Sequence, residues 1–134
     1  MSFEAIKKAV DLGRRMKNVF VATADSRGLP HLASAGLIDI VSEDRVSIEA
    51  WFCPGTVQNV QDNPLISVVA WDPEMDIGFQ ILGKVEKMEE TAILNGFSAK
   101  LEQDAPIPQS ERKLIILVDQ VLSFRAAPHS DKVE

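Results

Sequence analysis

The chain has 134 residues, of which 46% are hydrophobic and 25% charged, and carries a formal net charge of −6. That length suits a single domain, residues 1–134, able to bury roughly 68% of its unfolded surface in one core. The acidic balance without a basic stripe argues against nucleic acid and anionic membranes as partners, and the longest apolar runs, such as LIILV at 114–118, are too short for a membrane-spanning helix.

The start, MSFEAIKKAV, has no secretory-signal pattern, so a cytoplasmic location is the expectation. Residues 3–16 predict an amphipathic helix. Phe3, Ile6, Val10 and Gly13 share one stripe, Lys7, Lys8, Arg14 and Arg15 are polar, and Ser2 is a suitable N-cap. NVFVATAD (18–25) is apolar on both faces and predicts a buried central strand. DSRGLP (25–30) has the Asp, Ser and Gly of a tight turn, so Val19–Ala24 and His31–Val41 predict a hairpin.

After a second turn at 42–45, RVSIEAWF (45–52) alternates. Val46, Ile48, Ala50 and Phe52 share one face, and Ser47, Glu49 and Trp51 the other. A short helix at 56–62 follows, closed by Asn63-Pro64. LISVVAW (65–71) predicts a strand and DPEMD (72–76) a turn. IGFQILGKVEKM (77–88) predicts a long strand in which Gly83 marks a bulge or a close approach. ETAILNGFSAKLE (90–102) reads as a helix, KLIILVDQVLSF (113–124) as the last strand, and residues 125–134 as a flexible tail. Six strands joined mostly by turns predict a mainly β fold: an antiparallel barrel, 18–124, with peripheral helices plugging its ends.

Few residues carry chemistry by spacing alone. Cys53 is the single cysteine, so no internal disulfide or thiol-based zinc cluster is available, and a half-buried strand-end role outweighs a reactive thiol. His31 and His129 lie too far apart in sequence to suggest a metal site, and each reads as an ordinary polar residue. Trp51 and Trp71 are placed to flank a planar ring or, more commonly, to sit in the core or a subunit interface. The acid clusters at 43–45 and 86–90 read as solvated faces. Thr56 reads as a helix N-cap, and a helix N-terminus also suits an anion such as a phosphate.

The ordered segments VFVATADSRGLPHLASAG, DRVSIEAWF, TVQNVQDNPLISVVAW and ILGKVEKM resemble the pyridoxamine 5'-phosphate oxidase-like split β-barrel superfamily of FMN-binding proteins, over about residues 16–125. The resemblance implies a homodimer with FMN at the subunit interface, the flavin lying against the second and third strands. The positions it implies are Ser34, Ala35 and Gly36, then Glu49, Ala50 and Trp51, with the phosphate at Gly55 and Thr56. Glu49 there is either a rim residue or a partner of the ring edge.

Two departures stand out. Family members commonly carry a basic residue where this chain has Gly55, and Arg27, Lys84 and Arg125 are candidate substitutes. A flavin-contacting glutamine aligns with Gly78, although Gln80 offers the same group two residues on. The C-terminal VLSFRAAPHSDKVE lacks the tryptophan that precedes the vitamin B6 substrate motif, so that oxidase activity is not implied. The expectation is an FMN flavoprotein, an oxidoreductase or electron carrier. The alternative is a barrel that has lost FMN and binds haem or a deazaflavin, or serves as an interaction module.

Overall fold

The computed structural model describes residues 2–52, 54–90 and 110–134, with the side chains of Trp51 and Ser110 excepted. The helix expected over 90–102 lies outside the described residues from 91 onward, as does Cys53.

Helix α1 (Phe3–Met16) has the predicted bounds. Ser2 caps it, its side chain accepting the Ala5 amide, and Lys17 ends it in the left-handed conformation at φ 60°. Its buried face, Ala5, Ile6, Ala9, Val10, Leu12 and Gly13, packs onto the sheet. A Cβ on Gly13 would sit 2.9 Å from side-chain carbons of both Ile38 and Val19, so the absence of a side chain sets how closely the helix approaches.

The strands are β1 (Val19–Ala24), β2 (Pro30–Ala35), β3 (Leu37–Ser42), β4 (Arg45–Phe52), β5 (Leu65–Asp72), β6 (Ile77–Glu90), β7 (Ser110–Ala126) and β8 (His129–Val133), with α2 (Pro54–Asp62) between β4 and β5. All pairings are antiparallel, in the order β2-β1-β5-β6-β7-β4-β3, with β8 also on β7. The edge strands β2 and β3 sit at opposite ends of this order, yet Gly36 alone separates them in the chain. The sheet must therefore curl until its ends meet, which makes the expected split barrel. Inside it lie Val19, Val21, Ile38, Val46, Ile48, Phe52, Ile66, Val68, Ile81, Leu114, Ile116 and Val121, all buried.

Three expectations need correction. The segment 31–41 is not one strand: its first half pairs with β1 and its second half, after Gly36, with β4. The described residues form an eight-stranded sheet, seven strands in the order that curls and β8 added on β7, rather than the six strands expected. Nor is 125–134 a flexible tail, because β7 runs to Ala126 and β8 pairs back on it from His129 to Val133. The far edge of β7 is thus shared, residues 110–117 with β4 and 122–126 with β8. The Asp76 carboxylate holds this corner by accepting the Ala126 and Ala127 amides at 2.7 and 3.1 Å.

Gly83 behaves as predicted. The β6–β7 register shifts between Leu82 and Gly83, and a Cβ there would lie 2.2 Å from the Leu117 carbonyl oxygen. The two acid clusters are joined by Arg45, which contacts Asp44 at 2.8 Å and Glu86 at 2.7 Å.

Candidate functional site

The first turn of α2 is built by Pro54, Gly55 and Thr56. Proline suits a first helical position, because its φ is already helical and it has no N–H to leave unsatisfied. The helix begins at Pro54, so Thr56 is not the expected N-cap but lies within the first turn. Its side chain points inward, at 1% exposure, while Pro54 and Gly55 are open to solvent. One turn on, Asn59 donates to the Thr23 hydroxyl at 3.1 Å and fastens α2 to β1.

β2 brings His31 to this turn. His31 lies opposite Thr23 in the β1–β2 register, on the face it shares with Ala33 and Ala35. Its Nδ1 is 3.5 Å from the Thr56 hydroxyl. The nearest atoms to a Cβ built on Gly55 also belong to the His31 ring, with Nε2 at 3.6 Å. One half-buried imidazole therefore borders both residues of the Gly-Thr pair. No local pattern marks His31 in the sequence. The missing basic residue at position 55 was the available signal, since it invites a search for a cation on neighbouring elements.

The other expected site residues fall in different places. Ala35 is buried in the core, and Ser34, on the opposite face, is exposed. Gly36 and the half-buried Glu49 border a cavity of about 490 Å³ with Arg14, Lys17, Asp39 and Lys113. Ala50 faces the core, and Trp51 lies beside it on β4. Gln80 is on β6, where its amide donates to Ser67 Oγ at 2.8 Å. It borders a second cavity of about 490 Å³ with Val69, Phe124, Arg125, His129, Ser130 and Asp131. Ser34 and Gln80 belong to one cross-strand row, Ser34–Phe20–Val69–Gln80, three strand spacings or roughly 14 Å apart.

That row crosses an outer sheet face with much exposed apolar surface. Phe20 is 40% exposed, Leu32 64% and Leu65 64%. A groove of about 760 Å³ runs over it, bordered by Ala22, Leu65, Ser67, Leu82 and Lys84 among others. Trp71 and Phe124 stack at 5.2 Å between ring centroids, and Gly78 lies between them in the strand register. A Cβ on Gly78 would be 2.2 Å from the Phe124 ring. The glycine at the position implied for a glutamine is thus explained by the aromatic ring that covers it.

Two carboxylates are held below the usual range by backbone donors. The Leu29 amide is the main cause at Asp25, in the tight turn predicted at 25–30, and the Ala126 amide is the main cause at Asp76. Both carboxylates brace turns of the sheet. Among the described residues, no three His, Cys, Asp or Glu side chains converge as metal ligands. No described helix is long and apolar enough to cross a membrane. The Thr56 hydroxyl is buried and faces the His31 ring, so what the start of α2 offers an anion is the backbone at the exposed Gly55 with the half-buried imidazole beside it.

The fold is shared with known structures. Group A Streptococcus HupZ superposes with a TM-score of 0.64 at 18% identity, over 93% of this chain and 96% of that one. An FMN-binding protein from Syntrophomonas wolfei subsp. wolfei gives 0.66 at 12% identity, over 90% and 86%. An F420 reductase gives 0.60 at 15% identity, over 83% and 93%. At these identities the likeness is one of fold. No curated protein matches the sequence. The family model described as pyridoxamine 5'-phosphate oxidase matches residues 5–123, nearly the whole length, and the chain belongs to that family.

Proposed function

We propose that this protein is a homodimeric flavoprotein that binds FMN at the subunit interface and works as a flavin-dependent oxidoreductase or electron carrier. The observation that carries the reading is the solvent-open first turn of α2, where Gly55 leaves the backbone approachable and Thr56 and His31 border the same spot. A helix N-terminus with an imidazole beside it fits a phosphomonoester. Ser34 and Gln80, with Glu49 and the backbone of Ala35, Gly36, Ala50 and Trp51, are assigned to the rest of the cofactor. One subunit leaves them spread over separate surfaces, so a second copy on the apolar outer face is needed to complete a pocket.

Bound FMN would supply the redox chemistry; the chain's part is to bind, orient and exclude water. Support comes from the family membership and from the FMN-binding neighbour of the same fold. The test is titration of the apo protein with FMN, followed by quenching of flavin fluorescence. Saturation at one FMN per subunit is expected, and no uptake at tens of micromolar would sink the reading. Sedimentation at micromolar concentration should show a dimer.

A second reading is favoured by Gly55 and Gly78, which replace two side chains implied for the flavin. In it the barrel takes haem or a deazaflavin, or serves as an interaction module. An F420 reductase with this fold supports the deazaflavin form. Colour separates the readings: a yellow preparation supports FMN, and a red-brown one haem.

A further inference from the structure

We propose that His31 supplies the positive charge for the flavin phosphate, in place of the basic residue absent at position 55, and so makes FMN affinity fall as the imidazole loses its proton. The inference rests on the FMN reading above and concerns this chain's own residue. Its geometric basis is the single ring that reaches both halves of the phosphate turn, with Nδ1 toward Thr56 and Nε2 toward Gly55. A lysine or arginine at 55 would project from the exposed surface of the helix start, whereas His31 approaches the same turn from β2.

The cations suggested by sequence make other contacts. Arg27 is paired with Asp25 in the turn after β1, Lys84 borders the outer groove opposite Leu65, and Arg125 borders the cavity beside Gln80. Among the described residues, the charged groups on neighbouring elements begin with Asp25 and Arg27, paired with each other in the turn that leads into β2. β1 carries none along Val19–Ala24. α2 carries Asp62 at its far end, engaged by Gln58. β4 carries Glu49 beside Gly36, and Arg45 bound to Asp44 and Glu86.

A phosphomonoester takes its second charge at about pH 6. It keeps its negative charge as the pH rises, whereas an imidazole carries a positive charge only while protonated, so raising the pH replaces a charge-assisted contact by a weaker, uncharged hydrogen bond.

The experiment measures FMN and riboflavin dissociation constants at pH 6.5 and 8.5, for wild type, His31→Gln and His31→Lys. Circular dichroism confirms that each variant is folded. Wild type should bind FMN about tenfold more weakly at pH 8.5, the difference between a charged and a neutral hydrogen bond. Riboflavin, which lacks the phosphate, should show no such dependence. His31→Gln should bind FMN weakly at both values, and His31→Lys tightly at both.

If wild type binds FMN equally at both pH values, or if His31→Gln keeps the wild-type dependence, the assignment is overturned while the FMN reading stands. If wild type binds no FMN at either pH, the FMN reading falls and the role of His31 falls with it.

Discussion

Gly55 and Gly78 both stand where the family resemblance implies a side chain, and the structure treats them in opposite ways. At Gly55 the space is open to solvent, and a Cβ would make ordinary contact with the His31 ring at 3.6 Å. At Gly78 the Phe124 ring already fills the space, 2.2 Å from where a Cβ would be, and stacks on Trp71. The first glycine left a polar turn accessible, whereas the second let the protein build an aromatic contact between β5, β6 and β7. Loss of a side chain therefore does not by itself report loss of a ligand. What took its place does.

The largest expected effect on stability follows from the closed position. Gly78→Gln must push the Phe124 ring off Trp71, so urea unfolding should show a loss of about 1–3 kcal/mol, as for an overpacked site. Adding Phe124→Ala should recover part of that loss, because the two changes share one space. A Gly78→Gln protein as stable as wild type would break the comparison.

At the open position the effect should be on binding rather than stability. Gly55→Lys gains helix propensity, but it sets a cation at a helix N-terminus, where the dipole opposes it by about 0.3–1 kcal/mol. These terms offset one another, so the melting midpoint should barely move. FMN should bind about tenfold or more tightly through a new charge-assisted contact of about 1.5–3 kcal/mol. Unchanged FMN affinity would mean that the turn does not face the phosphate.

The smallest effect concerns the corner that closes beside the Phe124 stack. Asp76 has φ 53°, and its carboxylate is held below the usual range, chiefly by the Ala126 amide. A lowered native pKa means that the contribution is present above the unfolded value, about 3.9, and is lost as pH falls through the native value. In wild type the Ala126 and Ala127 amide resonances should therefore shift in one step below about pH 4. In Asp76→Asn, which tolerates the same backbone conformation, they should stay flat. A step that survives in the Asn protein would assign the titration to another group.

Much of this was legible in the residues. Side-chain periodicity marked α1 from Phe3 to Met16 and β4 from Arg45 to Phe52, because each buries one face against a single core, whereas β1, expected to be buried on both faces, leaves Phe20 40% exposed. Thr56 and Gly55 were found from the Pro-Gly-Thr start of α2, although the helix begins two residues before the expected cap. β8 was not legible. All five of its residues are exposed, and backbone hydrogen bonds to β7 define it, so HSDKV has no apolar pattern to read.

By itself, then, the sequence determined the local elements, the antiparallel mainly β class and the order of segments that marks the family. These depend on near neighbours in the chain, through propensity, turn chemistry and alternation. The tertiary structure alone decided that 31–41 breaks at Gly36, where a curling sheet sends β2 to β1 and β3 to β4. It alone decided that Phe124 occupies the space over Gly78, and that His31 meets a helix turn 25 residues away. Those contacts join strands and a helix whose adjacency follows from barrel closure, a property of the whole sheet that no short window of sequence contains.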